Sequence, residues 1–288
     1  MSTGGLATVT RAAGRARAGV WIGAALVGFV VVIALVSLVW TPHDATKVVT
    51  AERLRPTGTA GHLLGTDQFG RDVLSMLMVG ARTTLVVGII AVCIALAIGV
   101  PLGALAATRR GWLEEVLMRT ADVVYAFPAV ILAILLGAAA GPGTLTAMIA
   151  IGIAYVPVFA RVTRGAALQV LEREFVLAAR ACGVRRTAIF VRHVLPNISY
   201  VLIVQATIAF ALAILAEAAL SYLGLGTQPP TPSWGRMLRD AQTFVSVAPG
   251  LALWPGLAIA TAVLGFNILG DGLRDALDPR LGRGTVRA

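Results

Sequence analysis

The chain has 288 residues, of which 58% are hydrophobic and 13% are charged, and its formal net charge is +10. Soluble domains average about 45–50% apolar and about 25% charged residues, so this composition excludes an ordinary soluble protein and indicates a membrane protein. The basic residues lie between apolar stretches and form no patch interleaved with aromatic side chains, which argues against nucleic acid as a partner. Cys93 and Cys182 have no metal-type spacing, and we expect two free thiols.

Six apolar runs follow one another along the chain. A bilayer core of about 30 Å requires roughly 20 apolar residues in a helix, and the runs meet this length. The first run exceeds the apolar region of about 7–15 residues in a signal peptide, so we expect an uncleaved span. The pattern predicts an all-α integral membrane fold with one N-terminal span and a five-helix core. The predicted spans cover residues 19–40, 84–108, 116–140, 144–162, 196–220 and 251–270.

The distribution of basic residues predicts the orientation of the spans. With both termini in the cytoplasm, sixteen basic residues fall in internal segments and seven in external segments, as the positive-inside rule requires. This places the protein in the cell membrane as a multi-pass chain. The predicted divisions are a cytoplasmic tail (1–18), a first span with an extracytoplasmic segment (19–83), a core (84–270) with a loop at about 172–193, and a second cytoplasmic tail (271–288).

The chain lacks the sequence features of an ATPase or an intramembrane enzyme. A P-loop needs a lysine directly after glycine, whereas the single lysine, Lys47, follows Thr46. We therefore expect no ATP site here. The three histidines, His43, His62 and His193, are scattered along the sequence, and we interpret each as a surface or interfacial residue rather than a metal ligand.

Few ionisable residues fall within the predicted spans. Arg119 and Asp122 are three residues apart and can pair on one helix face, either as a structural ion pair or on a transport path. Glu217 stands alone near the outer end of the fifth span. It either bonds a neighbouring helix or water, or it lies at the outer mouth of a pathway.

The stretch 172–197 is too polar to span and lies between the fourth and fifth spans. Glu174 in the first turn and Arg180 near the last suit the dipole of a short helix, and Gly183 is placed to end it in a left-handed cap. A second helical stretch, Thr187 to Val194, leads to Pro196 at the start of the next span. Residues at helical spacing predict one apolar stripe: Phe175, Ala178, Ala179 and Cys182.

This helix could rest on the membrane surface or dock a soluble partner. Its sequence resembles the EAA loop of binding-protein-dependent importer permeases, which reads E-A-A, three residues, Gly, nine residues, I-x-L-P. Two positions differ, because Leu177 replaces the glutamate and His193 replaces the isoleucine. The matching residues are Ala178, Ala179, Gly183, Leu195 and Pro196.

Three further segments, 62–83, 217–238 and 266–281, are similar to the C-type subunit of the dipeptide/oligopeptide/nickel permease family. The resemblance implies a permease subunit of an ATP-driven importer. It implies a second related permease, two ATPase domains that bind ATP and Mg²⁺, and an extracytoplasmic binding protein. Peptide is the implied substrate, with nickel or another small solute as alternatives.

Two of these segments also predict helices in the outer interface. Thr66 or Asp67 can cap the first, and Ser233 can cap the second, after a proline-rich stretch. These helices either cover the outer end of the helix bundle, or they contact the binding protein or the mouth of the pore. The polar inner tail that includes Asp271, Arg274, Asp275, Asp278 and Arg280 is either a solvated face or an ATPase contact.

Two functions of other classes remain open from the residues alone. A secondary transporter or channel would move its solute without ATPases, and a membrane anchor would recruit a soluble partner without transport. The scarcity of acidic residues within spans argues against the first of these.

Overall fold

The computed structural model describes residues 3–277, with side chains from residue 18 onward. Within this range the chain is all-helical, which confirms the predicted fold class, and two isolated β-bridges are its only strand-like features. The helices are α1 (Thr3–Val39), α2 (Val73–Thr108), α3 (Trp112–Tyr125), α4 (Ala129–Ala140), α5 (Thr144–Leu171), α6 (Glu174–Ala181), α7 (Arg186–Ile189), α8 (Leu195–Leu223), α9 (Trp234–Ala241) and α10 (Gly250–Leu277).

Five helical stretches are long and apolar enough to cross a membrane. The helices α3 and α4 meet at a bend of 85°, and they add a sixth crossing if together they form one broken span. Pro128 has an extended backbone conformation and begins α4 rather than kinking a continuous helix. The five stretches are Ala18–Val39, Val73–Thr108, Thr144–Leu171, Arg186–Leu223 and Gly250–Leu277.

Small residues set the closest helix crossings. A Cβ added to Gly99 or Gly103 of α2 would collide with the backbone of α5, and one added to Gly23 of α1 would collide with Leu269 of α10. Apolar burial drives little association between helices in lipid, so close backbone approach and dispersion must hold these pairs. Large apolar side chains such as Trp21 and Phe29 remain exposed on the outer surface, as contact with lipid requires.

The segment before α2 corrects one prediction. We expected a separate interfacial helix over 66–83, capped by Thr66 or Asp67, but α2 is one continuous helix from Val73 to Thr108. Its N-cap is Asp72, whose Oδ2 accepts from the Ser75 backbone N–H at 2.8 Å. The apolar stripe seen in the sequence is therefore the first part of the span. Asp67 instead stabilises the preceding turn by accepting from the backbone N–H of Phe69 and Arg71.

Pro196 lies in the first turn of α8, as predicted, but no break in the helix precedes it. A π-helical turn, Phe190–Val194, joins α7 to α8 and makes one continuous span of 38 residues. The Leu195 N–H donates to the Phe190 carbonyl oxygen. A proline ring clashes with the carbonyl four residues earlier in an α-helix, and the wider π turn gives Pro196 room.

The predicted Arg119–Asp122 pair does not form. Arg119 instead pairs with Glu115 on the same helix at 3.2 Å, and Arg161 of α5 reaches Asp122 at 3.2 Å. Arg161 also lies over the Tyr125 ring, 4.3 Å from its centroid. The partner of Arg119 lies one helical turn away on α3, whereas the partner of Asp122 lies on α5 and could not be found from spacing within one helix. The two contacts of Arg161 hold α3 against α5.

The connecting segments collect at two ends of the bundle. Residues 40–72 and 224–249 lie together at one end, the α9 end, where Arg71 lies 3.6 Å from Asp240. Residues 109–111 and the 172–193 loop lie together at the other, the α6 end. Of the polar tail residues, Asp271, Arg274 and Asp275 are exposed on α10, while Asp278 and Arg280 lie outside the described residues.

Candidate functional site

The short helix α6 ends in a complete glycine cap. Gly183 has φ +74°, which favours glycine, and its N–H donates to the Arg180 carbonyl at 2.9 Å. The Val184 N–H donates back to the Ala179 carbonyl at 3.1 Å. These two bonds are those of a Schellman motif and satisfy carbonyls that a helix end would leave free. The predicted left-handed cap at Gly183 is confirmed.

The face of α6 that packs inward differs from the predicted stripe. Val176 is fully buried and Ala179 is partly buried, whereas Phe175, Ala178 and Cys182 are exposed. The inward residues meet an apolar cluster shared with α5 and α8. Most of the predicted stripe therefore faces away from the bundle. An exposed apolar face on a rigidly capped helix is suited to contact with another molecule.

The two departures from the loop pattern have clear positions. The His193 ring lies edge-on to Phe175, with 6.2 Å between ring centroids, and so links α6 to the start of the α8 span. Leu177 is half exposed and lines a groove beside α6. Leu195 is partly buried and Pro196 is exposed. Glu174 and Arg180 lie in the first and last turns of α6, as the sequence predicted.

A basic groove of about 1130 Å³ runs beside α6, between it and the turn after α2. The Arg110 guanidinium pairs with the Glu172 carboxylate at 3.1 Å, and Arg186 donates to the Thr108 carbonyl at 3.3 Å. These contacts attach the 172–193 loop to α2. Four arginines and one glutamate line the groove, so an acidic surface would be electrostatically complementary to it. The arginines are Arg109, Arg110, Arg180 and Arg186.

Sequence reasoning overlooked the groove because its two walls are more than 60 residues apart. The one available signal was the Arg109–Arg110 pair directly after a span. That signal predicted orientation but not a partner for Glu172. Only the packing of α2 against α5 places the two segments side by side.

Glu217 is 1% exposed at the α9 end and is surrounded by hydroxyl groups. Its carboxylate accepts from Ser221 Oγ at 2.7 Å and lies 3.5 Å from Thr84 Oγ1 of α2. The Ser233 side chain accepts from the Arg236 N–H and caps α9, as predicted. Glu217 therefore joins α8 to α2, which is the structural interpretation. Its role on a pathway stays a prediction.

The interpretation of the histidines as surface or interfacial residues was wrong for His62, which is buried in a cluster, although His43 is exposed as expected. The His43 and His62 rings lie 4.6 Å apart, and His62 is buried. His62 Nδ1 lies 2.9 Å from Asp72 Oδ1, and its Nε2 lies 3.1 Å from Glu52 Oε2. The hydrogen bond to Asp72, opposed by burial and reinforced by Glu52, raises the pKa of His62 above its ordinary value. Turns in the 40–72 segment bring these residues together.

Comparison with known proteins gives a consistent result. Residues 99–283 match the family described as "Binding-protein-dependent transport system inner membrane component". The chain is 42% identical over 260 residues to the dipeptide transport system permease protein DppC of Alkalihalophilus pseudofirmus, covering 90% of this chain and 85% of that protein. It is 41% identical over 240 residues to the glutathione transport system permease protein GsiD of Pectobacterium atrosepticum, covering 83% and 80%.

A solved structure shares the fold. The inward-facing MetNI methionine ABC transporter aligns with a TM-score of 0.59 at 20% identity, over 68% of this chain and 93% of that one. At this identity the likeness concerns the fold alone. It agrees with a helical bundle of the kind described above.

Proposed function

We propose that this chain, which belongs to the family of binding-protein-dependent transport system inner membrane components, forms half of the pathway of an ATP-driven importer. A related permease supplies the other half, and two ATPase domains dock at the α6 end. The observation that carries this proposal is α6 itself, a short capped helix that exposes Phe175 and Leu177 beside a basic groove.

The docking step follows from the chemistry of this end of the chain. Phe175 and Leu177 offer exposed apolar surface for a pocket in the partner. The groove arginines attract an acidic rim and orient it. ATP and Mg²⁺ are bound by the partner, and Lys47 does not provide a P-loop lysine here.

Movement of α6 would be transmitted to the spans. Gly183 ends the helix in a fixed geometry, and the His193–Phe175 contact joins it to the span that continues as α8. The Arg110–Glu172 pair joins the same loop to the end of α2. Closure of the ATPases would therefore shift α2 and α8 together and switch the cavity between inward- and outward-facing states.

Short peptides are the proposed substrate class. The two relatives described above are named for dipeptide and glutathione transport, and both are short peptides in the chemical sense. In this assignment both termini and the α6 end are cytoplasmic. The α9 end faces outward and receives the ligand from a binding protein.

Affinity purification of the tagged chain in mild detergent tests the assembly, with identification of the proteins that accompany it. We expect a second permease and P-loop ATPases, with the ATPases lost when residues 174–183 are replaced by a flexible sequence. A chain that purifies alone across several gentle detergents and still transports its solute would contradict the proposal. Uptake of a labelled dipeptide and of labelled glutathione by cells with and without the gene tests the substrate class.

A further inference from the structure

A cluster of metal-binding side chains lies at the α9 end, away from α6. The potential ligand atoms of His43, His62 and Asp72 all lie within 4.8 Å of one another. His43 follows α1, His62 lies within the connecting segment, and Asp72 caps α2. Three separate parts of the 40–72 segment thus meet at one point. The proposed transport function assigns this cluster no role.

The two oxygens of Asp72 have different partners. Oδ2 accepts from the backbone N–H and the hydroxyl of Ser75, at 2.8 and 2.7 Å. Oδ1 faces the histidines, 2.9 Å from His62 Nδ1 and 3.7 Å from His43 Nδ1. Ligand atoms around tetrahedral Zn²⁺ are about 3.3 Å apart, given bonds of about 2.0–2.1 Å. The two observed distances lie on either side of that value.

The surroundings hold the Asp72 and His62 side chains and the backbone of His43 in place. The His43 backbone N–H donates to Ser75 Oγ at 2.9 Å, so its position depends on the residue that also bonds Asp72. The His62 ring is buried, and its Nε2 faces Glu52 Oε2 at 3.1 Å. Metal-bound histidines usually donate their second N–H to a carboxylate in this way. Glu52 therefore has the position of a residue that orients a ligand.

A protonated His62 clamped between Glu52 and Asp72 would account for two of these contacts without a metal. It would not account for His43, whose ring is tilted by 31° against the His62 ring and faces the same Asp72 oxygen. The His43 ring is exposed and lines an open cleft of about 600 Å³. It can therefore rotate into a coordinating position, and water from the cleft can complete the coordination.

We propose that His43, His62 and Asp72 bind one divalent transition-metal ion, with Zn²⁺ as the best match for two imidazoles and one carboxylate. The ion would occupy the space between Asp72 Oδ1 and the two Nδ1 atoms, with Glu52 orienting His62. It would link the end of α1 to the start of α2. Its expected effect is to fix the 40–72 segment at the outer surface.

The test uses the full-length chain, purified with a tag that contains no histidine and stripped of metal. Titration with Co²⁺ should produce d–d absorption that saturates at one ion per chain and disappears when Zn²⁺ is added. His43→Ala should weaken Zn²⁺ binding at least about tenfold, since loss of even an orienting partner usually costs about 10–100-fold. Glu52→Ala tests that orienting role, with an expected loss of about 10–100-fold.

His193→Gln is the matched control, because it removes the one histidine of the α6 end and should leave metal binding unchanged. The proposal is overturned if the wild-type chain binds no stoichiometric ion. It is also overturned if His43→Ala binds as tightly as wild type, which would show that the bound ion does not use His43. His43 is exposed, so this variant should fold, and an unchanged gel-filtration profile confirms that it does. No step requires ATPases or transport, so failure of the importer assignment would be recognised separately.

Discussion

The backbone N–H of Val184 donates to the carbonyl oxygen of Ala179 across 3.1 Å, closing the end of α6. The bond exists because Gly183, between them, has φ +74°. Apart from Gly183 and its two chain neighbours, no heavy atom lies within 4 Å of the position where a Cβ would stand at Gly183. The requirement for glycine therefore arises from backbone conformation and not from crowding.

This relationship predicts the effect of changing Gly183. A β-branched residue in the left-handed region is strained by roughly 1–2 kcal/mol, so Gly183→Val should open the cap and misplace α6. We expect substrate uptake to fall severalfold while the amount of inserted protein stays normal. Uptake of labelled substrate, normalised to membrane content by immunoblotting, measures this.

Gly183→Asn is the control, because asparagine tolerates the left-handed conformation better than valine. It should retain most of the uptake. Equal uptake by the valine variant and the wild type would show that α6 does not need its cap and would argue against its proposed role in docking.

The basic groove predicts that docking depends on charge. Arg180→Glu reverses one groove charge and should slow association with the ATPases, since charges at the rim of an interface act mainly on the association rate. The effect should shrink as salt rises, because the screening length falls from about 10 Å at 0.1 M to about 3 Å at 1 M. Surface plasmon resonance of the chain in nanodiscs with its purified ATPases provides the rates.

Arg119→Glu supplies the comparison for this experiment. Its side chain is also exposed, but it pairs with Glu115 on α3 and does not line the groove. Its association rate should equal that of wild type. Identical rates for Arg180→Glu and wild type at low salt would show that the groove lies outside the interface.

The buried carboxylate at Glu217 predicts a difference between two substitutions. Glu217→Leu removes the acceptor of the Ser221 hydroxyl and should lower the free energy of unfolding by about 1–3 kcal/mol, the cost of a buried unsatisfied group. Glu217→Gln keeps an acceptor oxygen and should unfold near the wild-type temperature. Thermal unfolding of the purified chain in detergent compares the two.

Uptake by the glutamine variant separates the two interpretations of Glu217. Near-normal uptake supports the structural one, in which hydrogen bonding alone matters. A stable Glu217→Gln chain that no longer transports would instead place the carboxylate charge on the pathway.

The contact between α9 and α8 predicts a packing effect. A Cβ on Gly235 would collide with the backbone of Ala218, and overpacking of this kind usually costs about 1–3 kcal/mol. Gly235→Ala should therefore lower the unfolding temperature measurably. Gly256→Ala in α10 meets nothing within 4 Å and should be neutral or slightly stabilising. If the two variants have the same unfolding temperature, α9 is not held against α8 in the way described.

Local patterns were sufficient where a single stretch of chain decides the outcome. The length of the apolar runs indicated the spans, because any helix that crosses the bilayer core needs about 20 apolar residues, whatever it packs against. Gly183 and Ser233 indicated their caps, because the bonds of a cap join residues within one turn. The resemblance to binding-protein-dependent permeases rested in part on such local spacing, and the family match over residues 99–283 confirms the family.

Local patterns failed where the partner came from another helix. Asp122 has the spacing of an ion pair with Arg119, yet Arg161 of α5 binds it instead. The prediction for α6 chose the wrong inward face. An apolar stripe in the sequence does not show whether it packs against the rest of the chain or remains exposed. The π turn before Pro196 was also not predicted, because the helix continues through a proline and proline usually interrupts a helix.

The sequence by itself determined the class of the protein, because the bilayer imposes length and hydrophobicity on each span independently and the family's motifs are short. Only the tertiary structure decided which charged and histidine side chains meet. Arg110 reaches Glu172, and His43 reaches His62 and Asp72, because helix packing and folded loops bring distant parts of the chain together. Hydrogen bonds and ion pairs act over only a few ångströms, so no periodicity along the chain could predict them.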